Sequence, residues 1–294
     1  MLTILTPTYN RENTLKNAYL SLLDQTNKDF EWLIIDDGSK DNTKKLVKEF
    51  IKENKINITY HYKENGGKHT ALNEGVKKAR GTYILILDSD DTLTKNAVHL
   101  VLTSWQKYEN NQKIAALSFL KVFPNNEVIG KKYHQKEVRS NHIDFRYNQN
   151  LLGDMCEVFK KDILKKYPFP TFNHERFLSE AIIWNKIALD YDTVYINKPI
   201  YIADYLQDGL SKSFFKLVYH NPLGAKANAN MFLIKRFKLK IRLKNAILYD
   251  GYALTAKLKV KDFIKESNNK LLTILALPAG YLYKHFLAYQ AKKK

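Results

Sequence analysis

Three carboxylates follow directly after a short apolar run. The run Tyr83-Ile-Leu-Ile-Leu87 leads into Asp88-Ser-Asp-Asp91. An apolar run of this length is typical of a parallel strand covered by helices on both faces, and open α/β sheets bind ligands at the carboxyl ends of such strands. Crowded acids repel one another, and their oxygen donors suit a hard cation such as Mg²⁺ or Mn²⁺ beside a diphosphate. A solvated Asp-rich turn is the simpler alternative for this cluster alone.

The segments before the acids predict an alternation of strands and helices. Predicted strands are Leu2–Thr6, Glu31–Ile35, Ile58–Tyr62 and Tyr83–Leu87, and predicted helices are Thr14–Leu23, Lys40–Glu53 and Lys68–Arg80. Short links between them imply right-handed crossovers and an α/β fold with a doubly wound, mostly parallel sheet. Tyr9 and Asp37 then follow the first two strands, at the same sheet edge as the acids.

Four short blocks carry a resemblance to a known family. They are Thr6-Pro-Thr-Tyr-Asn-Arg11, Asp36-Asp-Gly-Ser-Lys-Asp-Asn-Thr43, Gly66-Gly-Lys-His-Thr-Ala-Leu-Asn73 and Asp88-Ser-Asp-Asp91. In this order and at strand ends they resemble the family 2 glycosyltransferases, which have the GT-A fold. The resemblance thins after about residue 95 and returns between Gly153 and Ser211. It implies an inverting transferase of bacterial capsule or cell-wall polysaccharide synthesis, which uses a nucleotide-sugar, usually a UDP-sugar, with Mn²⁺ or Mg²⁺.

The resemblance suggests how the strand ends would bind such a donor. Pro7 and Tyr9 would pack against the base, and Asp37 would accept its imide N–H. Gly67 would allow the diphosphate to approach the backbone, and Lys68 would supply a cation. Alternatives remain open at this stage, because Asp37 also fits an N-cap for the following helix and Lys68 also fits a solvated lysine. His69 is expected to be structural.

The acid cluster is the expected metal site. Asp88 and Asp90 match the D-x-D motif of the family, and Ser89 between them is placed with the donor-binding groups. Asp90 is the first candidate for direct metal contact. Asp88 and Asp91 are further candidates, and Asp91 serves instead of Asp90 or together with it.

Two acids in the second half of the chain are candidates for other roles. Asp154 precedes a predicted helix at Lys161–Tyr167, and it is expected either to contact sugar hydroxyls or to be a helix N-terminal acid. Glu180 lies at another predicted helix start, where family members carry Glu-Asp or Gly-Asp with the second acid as base. Glu180 is therefore the expected general base, with a structural helix-start acid as the alternative. A loop containing Gln207, Ser211 and Lys212 falls where family members close over the diphosphate, although a plain surface loop fits equally.

Charge divides the chain into two parts. Residues 1–211 hold 30 Lys/Arg and 27 Asp/Glu, whereas residues 212–294 hold 18 and 3, so most of the net charge of +18 is C-terminal. We expect a catalytic domain over 1–211, with a nucleotide-binding half at 1–95 and an acceptor half at 96–211. Residues 212–294 form a basic amphipathic segment, predicted helical over Leu223–Leu258.

The basic segment predicts an anionic partner. Leu271–Tyr289 fits an interfacial anchor, so we expect peripheral attachment to the inner face of the cell membrane and a polyprenol-linked or growing glycan as acceptor. Two other hypotheses are an inactive scaffold with this fold and a nucleic-acid-binding protein. No segment resembles a nucleic-acid module, so nucleic acid is not an expected partner.

Targeting and redox features agree with a cytoplasmic location. The N-terminus lacks a basic secretory segment, and the single cysteine, Cys156, excludes an internal disulfide and fits a reducing compartment. No segment is expected to cross the membrane, because the longest apolar candidate, Leu271–Tyr283, is short and contains Pro278 and Gly280.

Overall fold

The computed structural model describes residues 1–131, 133–151, 153–203 and 214–293. The chain forms two compact units, and each is described by itself. The first comprises Met1–Pro168 and Ile187–Asp204, and the second comprises Phe169–Lys186 and Tyr205–Lys294. The predicted division at 211/212 differs from these units in two respects. The second unit begins again at Tyr205, and it also includes Phe169–Lys186.

The first unit is built on a sheet that contains nine strands among the described residues. The strands are β1 (Leu2–Thr8), β2 (Phe30–Asp36), β3 (Ile58–Tyr62), β4 (Tyr83–Ile86), β5 (Thr92–Leu93), β6 (Ile114–Val122), β7 (Glu137–Ser140), β8 (Met155–Lys160) and β9 (Asp192–Ile202). Their order is β3-β2-β1-β4-β8-β6-β9-β5, and β7 pairs with β9. The pairs among β1 to β4 are parallel, whereas β8 runs antiparallel to both β4 and β6.

Helices follow the first strands as the alternation predicts. They are α1 (Leu15–Leu23), α2 (Thr43–Glu53), α3 (Lys68–Lys78), α4 (Ala97–Gln106) and α5 (Lys161–Lys166), with a π-helix at Ile143–Asn148. On one face of the sheet, Tyr19 of α1 stacks on Phe50 of α2 with ring centroids 4.0 Å apart, beside the fully buried Trp32 of β2. A Cβ on Gly75 of α3 would overlap the Leu5 side chain of β1, so a glycine is needed at this close approach. The α/β fold is confirmed.

Two features of the second half of the sheet are not among the predicted elements. Met155–Lys160 is β8 and lies inside the sheet between β4 and β6. β9 is one strand that continues through Pro199. The register between β6 and β9 shifts near Pro199, where proline cannot donate a ladder hydrogen bond.

The second unit is helical among its described residues. Its helices are α6 (Ala181–Ile187), which ends at the unit boundary, α7 (Phe214–His220), α8 (Pro222–Met231), α9 (Leu239–Thr255), α10 (Val260–Glu266) and α11 (Lys270–Lys292). Their core combines Tyr249 and Tyr252 of α9 with Phe263 of α10 and Leu287 of α11. The helical prediction for Leu223–Leu258 is confirmed. Residues 237–244, in which apolar and basic side chains alternate, do not form a strand.

The expectation that no segment is long enough to cross a membrane is wrong for α11. The helix continues through Pro278 and Gly280 to 23 residues. In the part of the chain that the structure describes, α11 is the one helix that is long and apolar enough to cross a membrane, by length and composition only, and most of it is not buried. Pro278 is exposed, so its missing N–H weakens the helix on the solvent side while the buried side remains packed.

Candidate functional site

The carboxyl ends of β1, β2 and β4 lie side by side at one edge of the first unit's sheet. β1 pairs in parallel with both β2 and β4. Tyr9, Asp37 and Asp88 follow these three strands, so the parallel pairing brings them to the same edge. Pro7 is buried within β1, whereas the Tyr9 side chain is 43% exposed. The edge therefore combines an open aromatic ring with carboxylates, as the sequence predicted.

Asp37 organises the loop in front of α3. Its two carboxylate oxygens accept from the amides of Gly66 at 2.9 Å and Gly67 at 2.7 Å, and Lys63 Nζ lies 2.6 Å from the first oxygen. Gly67 has a φ of +92°, which favours glycine. The N-cap alternative for Asp37 is wrong, because α2 begins at Thr43. The amides suggested for diphosphate contact donate to Asp37 here.

Lys68 and Tyr201 contact two of the three clustered acids. Lys68 Nζ lies 2.6 Å from Asp88 Oδ1. The Tyr201 hydroxyl donates to Asp91 Oδ2 at 2.7 Å and accepts from the amide of Asp88 at 3.0 Å. Tyr201 thereby links both ends of the turn Asp88–Asp91. The ammonium group of Lys68 lies at this turn rather than in open solvent.

Asp90 and Asp91 differ in their surroundings. Asp90 Oδ2 lies 3.6 Å from Arg11 Nη2, and the Asp90 side chain is partly open to solvent. Asp91 is buried. Burial, together with the negative charges of Asp88 and Asp90, raises the pKa of Asp91 to about 6. The more accessible Asp90 is thus the better placed of the two to meet an ion from solvent.

A second lysine, Lys121, lies at the same sheet edge. Lys121 of β6 pairs in register with Tyr201 of β9, and its Nζ lies 4.1 Å from the centroid of the Tyr201 ring. The antiparallel β6–β8 register ends at Leu120 opposite Met155. Its continuation places Asp154 beside Lys121.

Lys121 and the acids stabilise one another's charges. Burial disfavours the charge of Lys121, but Asp88, Asp154 and Asp91 outweigh it and raise the pKa of the lysine. Burial likewise disfavours the charge of Asp88, and Lys68 with Lys121 holds the pKa of Asp88 below its usual value. This end of the sheet is therefore a cluster of opposite charges that is buried at Asp91 and partly exposed at Asp88, Asp90 and Lys68.

The donor groups of the cluster fit a divalent cation. Asp88, Asp90 and Asp91 offer carboxylate oxygens, and the crowding that raises the pKa of Asp91 is relieved when a cation is near. Over the described ranges, no group of three or more His, Cys, Asp or Glu side chains is arranged to hold a metal. Mg²⁺ commonly takes only one or two carboxylates, completed by substrate phosphates and water. Asp90 and Asp88 would hold the ion in such an arrangement.

Glu180 belongs to the second unit. It is the residue immediately before α6, and its carbonyl oxygen accepts from the amides of Ile183 at 2.9 Å and Trp184 at 3.2 Å. Its side chain is half-buried. The predicted helix start is therefore present, and the role of the carboxylate as a base stays a prediction.

Two buried side chains form what we call the Glu175–Asn221 clasp, which fixes the backbone near Glu180. Asn221 Oδ1 accepts from the amides of Arg176 at 2.7 Å and Phe177 at 3.0 Å. In return, the Glu175 carboxylate accepts two amides at the start of α8, both at 2.7 Å. Each side chain thus satisfies the backbone of the other's segment. The clasp joins the segment that carries Glu180 to α8 within the second unit.

The remaining predicted residues divide into three groups. Asp154 is exposed and precedes β8, so the alternative of a helix N-terminal acid is wrong. Ser89 is buried, and His69 is buried with its pKa lowered by that burial, in agreement with a structural role. The loop residues Gln207, Ser211 and Lys212 lie outside the described residues.

Sequence reasoning missed several residues at these sites. Tyr201 contacts the acid cluster, Lys121 lies over the Tyr201 ring, and Lys63 contacts Asp37. These residues and the clasp residues were not singled out. One signal was present, since Lys121 is the one charged residue in the apolar run Ile114–Phe123. A lone charge inside a buried strand requires a partner. The others could be found only from the fold.

Comparison with known proteins gives a match to one family. Residues 3–167 match the family model described as Glycosyl transferase family 2. An uncharacterized glycosyltransferase of Rickettsia felis is 40% identical over 119 residues, which make up 40% of this chain and 19% of that protein. The chain thus aligns with only about a fifth of that relative's length.

Two further similarities extend beyond the matched region. The Escherichia coli protein WfgD, named UDP-Glc:alpha-D-GlcNAc-diphosphoundecaprenol beta-1,3-glucosyltransferase, is 28% identical over 226 residues, covering 74% of this chain and 81% of that protein. The structure of S. aureus TarS 1-349 in complex with UDP-GlcNAc has a TM-score of 0.60 at 17% identity, covering 97% of this chain and 92% of that one. At that identity, the structural match shows the fold alone.

Proposed function

Because the chain belongs to glycosyl transferase family 2, we propose that it transfers a sugar from a UDP-sugar to a lipid-linked or growing surface glycan, with inversion at the anomeric carbon. The observation that carries this proposal is the arrangement of side chains at the carboxyl edge of the first unit's sheet. There Tyr9, Asp37 and Lys68 follow the parallel strands beside the acids of the D-x-D motif. The name of WfgD, which includes both a UDP-sugar and a diphosphoundecaprenol acceptor, supports these substrate classes.

Each group at the edge has a task in binding the donor. Tyr9, whose ring is exposed, stacks on the base. Pro7 packs against the same base. Asp37, held by the two glycine amides, keeps the loop before α3 in place and accepts from the base. Lys68, which pairs with Asp88, turns its charge toward the diphosphate. A divalent ion bound by Asp90 and Asp88 would stabilise the negative charge that develops on the leaving diphosphate.

The transfer itself needs one base. An acceptor hydroxyl attacks the anomeric carbon, and the bond from that carbon to the diphosphate oxygen breaks as the new glycosidic bond forms. Glu180 takes the hydroxyl proton, and the nucleoside diphosphate leaves with the bonding electrons. Attack from the side opposite the leaving group inverts the anomeric configuration.

A donor panel tests this proposal. Purified full-length chain is incubated with several UDP-, GDP- and dTDP-sugars, with Mn²⁺, with Mg²⁺ and with a chelator, and released nucleotide is measured. We expect release from a UDP-sugar that depends on the metal. Glu180→Gln should lower the rate by about 10² to 10⁴, the range typical of a positioned base. Glu49→Gln, an exposed change on α2, is the matched control and should have no effect.

The panel also separates the alternatives. If folded wild-type chain consumes none of the donors with either metal, the inactive scaffold is correct and the proposed activity is wrong. If release occurs but Glu180→Gln matches the wild type, the base lies elsewhere. Equal rates with metal and with chelator would remove the metal from the proposal.

A further inference from the structure

The outward side of α11 is an apolar stripe along almost the whole helix, interrupted by one polar residue, the exposed His285 beside Tyr281. We call these residues the outer face of α11, and they are Leu271, Ile274, Leu275, Tyr281, Leu282, Phe286 and Tyr289, all exposed. Their spacing of three, four and seven places them on one side of the helix. The central leucines Leu275 and Leu282 are 67% and 70% exposed. A helix of 23 residues carries this stripe over a length of roughly 30 Å.

The other side of α11 is packed within its own unit. Leu272, Ala276 and Leu287 are buried in the core shared with α9. A Cβ on Gly280 would overlap Asp250 of α9, so the two helices approach closely at that point. A helix fixed along one side in this way cannot be surrounded by lipid. It has the form of a helix that lies in the plane of a membrane interface.

Two aromatic rings next to α11 extend the apolar surface. Phe214 and Phe215 of α7 are exposed. The Phe215 ring packs edge-on against Phe286 of the outer face, with centroids 5.7 Å apart. Aromatic side chains favour the boundary between headgroups and acyl chains.

Charge indicates what covers this face. The outer face is free of lysine and arginine, whereas Lys270, Lys292 and Lys293 lie at the two ends of α11. Residues 212–294 carry 18 Lys/Arg and 3 Asp/Glu. A second copy docked there would bring two strongly positive segments together, which is unfavourable. An anionic lipid surface instead matches both the apolar face and the surrounding positive charge.

We propose that the outer face of α11, together with Phe214 and Phe215, docks the chain on an anionic lipid bilayer with α11 lying in the interface. The inference specifies the membrane partner of the proposed function. It does not depend on sugar transfer, because docking requires no donor. Its failure is therefore distinguishable from failure of the donor panel.

Vesicle flotation tests the docking. Full-length chain is mixed with vesicles of phosphatidylcholine and phosphatidylglycerol, or of phosphatidylcholine alone, at low and high salt. We expect flotation with the anionic vesicles, reduced by high salt. The double change Leu275→Glu with Leu282→Glu should weaken vesicle binding by at least about tenfold, since it removes two inserted side chains and adds two repelled charges. Both positions are exposed, so folding should be retained, and circular dichroism checks this.

A matched control and four contrary outcomes complete the test. Leu20→Glu, an exposed leucine on α1 of the first unit, should float like the wild type. The docking proposal is overturned if the wild type ignores anionic vesicles at low salt, or if the double variant floats as well as the wild type. It is also overturned if sedimentation shows a wild-type oligomer that the double variant dissociates, because a second copy would then cover this face. Resistance of the bound wild type to alkaline extraction would indicate a spanning helix and overturn the in-plane arrangement.

Discussion

At the residue scale, Lys121 is a cation of the acid cluster that lies outside the sequence motifs. Its Nζ lies over the ring of Tyr201, whose hydroxyl contacts Asp91 and the amide of Asp88. The partly buried lysine therefore offsets the negative charge of the acids. It is also a built-in cation close to where a diphosphate would arrive.

We predict that Lys121→Met weakens donor use. Methionine is similar in length but removes one of the two lysine charges, with that of Lys68, that favour the ionised form of Asp88. Because the positive charge of Lys121 also faces the position expected for the diphosphate, we expect the donor KM to rise by at least about tenfold, which corresponds to roughly 1.4 kcal/mol. The donor KM is measured from the rate of nucleotide release at increasing donor concentrations.

Two comparison variants accompany this prediction. Lys121→Arg keeps the charge and should lose less than Lys121→Met. Lys113→Met removes an exposed lysine just before β6 and should behave like the wild type. A donor KM for Lys121→Met equal to that of the wild type would show that the cluster does not need this cation.

The acids were predictable from the sequence, and their partners were not. Asp88, Asp90 and Asp91 stand in one short block after an apolar run, so strand geometry alone brings them to the sheet edge. Lys121 and Tyr201 come from strands that begin more than a hundred residues after β1. They meet only through the β6–β9 register, which no local pattern specifies.

At the element scale, local pattern predicted the alternating elements and failed where tertiary context decides. The strands and helices up to β4 follow clear apolar periods, and all were predicted. β8 was missed because its six residues, Met155–Lys160, mix apolar and charged side chains and are stabilised by neighbours on both sides. The apolar stretch Leu271–Tyr283 was expected to be interrupted at Pro278 and Gly280, because the packing that carries α11 through these residues is absent from the sequence pattern.

The Glu175–Asn221 clasp gives a prediction at this scale. Asn221→Ala leaves the amides of Arg176 and Phe177 without their acceptor, and a buried unpaired amide costs about 1–3 kcal/mol. We expect these amides to exchange hydrogen faster and nucleotide release to fall, because the backbone leading to Glu180 loses its fixed position. Hydrogen exchange with peptide-level resolution measures the first effect directly.

A conservative change separates this positioning role from general destabilisation. Asn221→Asp keeps the acceptor oxygen but loses the donor to the Leu217 carbonyl. The amides of Arg176 and Phe177 should therefore exchange hydrogen more slowly in Asn221→Asp than in Asn221→Ala, when the two variants are compared under conditions of similar overall stability. Unchanged exchange at residues 176–177 in Asn221→Ala would contradict the clasp.

At the whole-molecule scale, the chain divides its properties between two units. The acids, Lys68, Lys121 and Tyr9 belong to the first unit, whereas Glu180, the clasp and the outer face of α11 belong to the second. Charge alone marked the C-terminal segment, but it could not show that Phe169–Lys186 groups with that segment. That grouping depends on contacts between residues some 40 to 50 positions apart, such as Arg176 with Asn221 and Glu175 with Gly224.

The carboxyl edge of the first unit's sheet is expected above all to bind a nucleoside diphosphate. Titration calorimetry of UDP into the full-length chain tests it most directly, since binding requires neither an acceptor nor a membrane. We predict binding in the presence of Mn²⁺ that weakens by at least about tenfold in Asp90→Asn or with chelator, which corresponds to roughly 1.4 kcal/mol. Glu180→Gln should bind UDP like the wild type. Absence of UDP binding by folded wild-type chain, or equal affinity in wild type and Asp90→Asn, would contradict this account of the site.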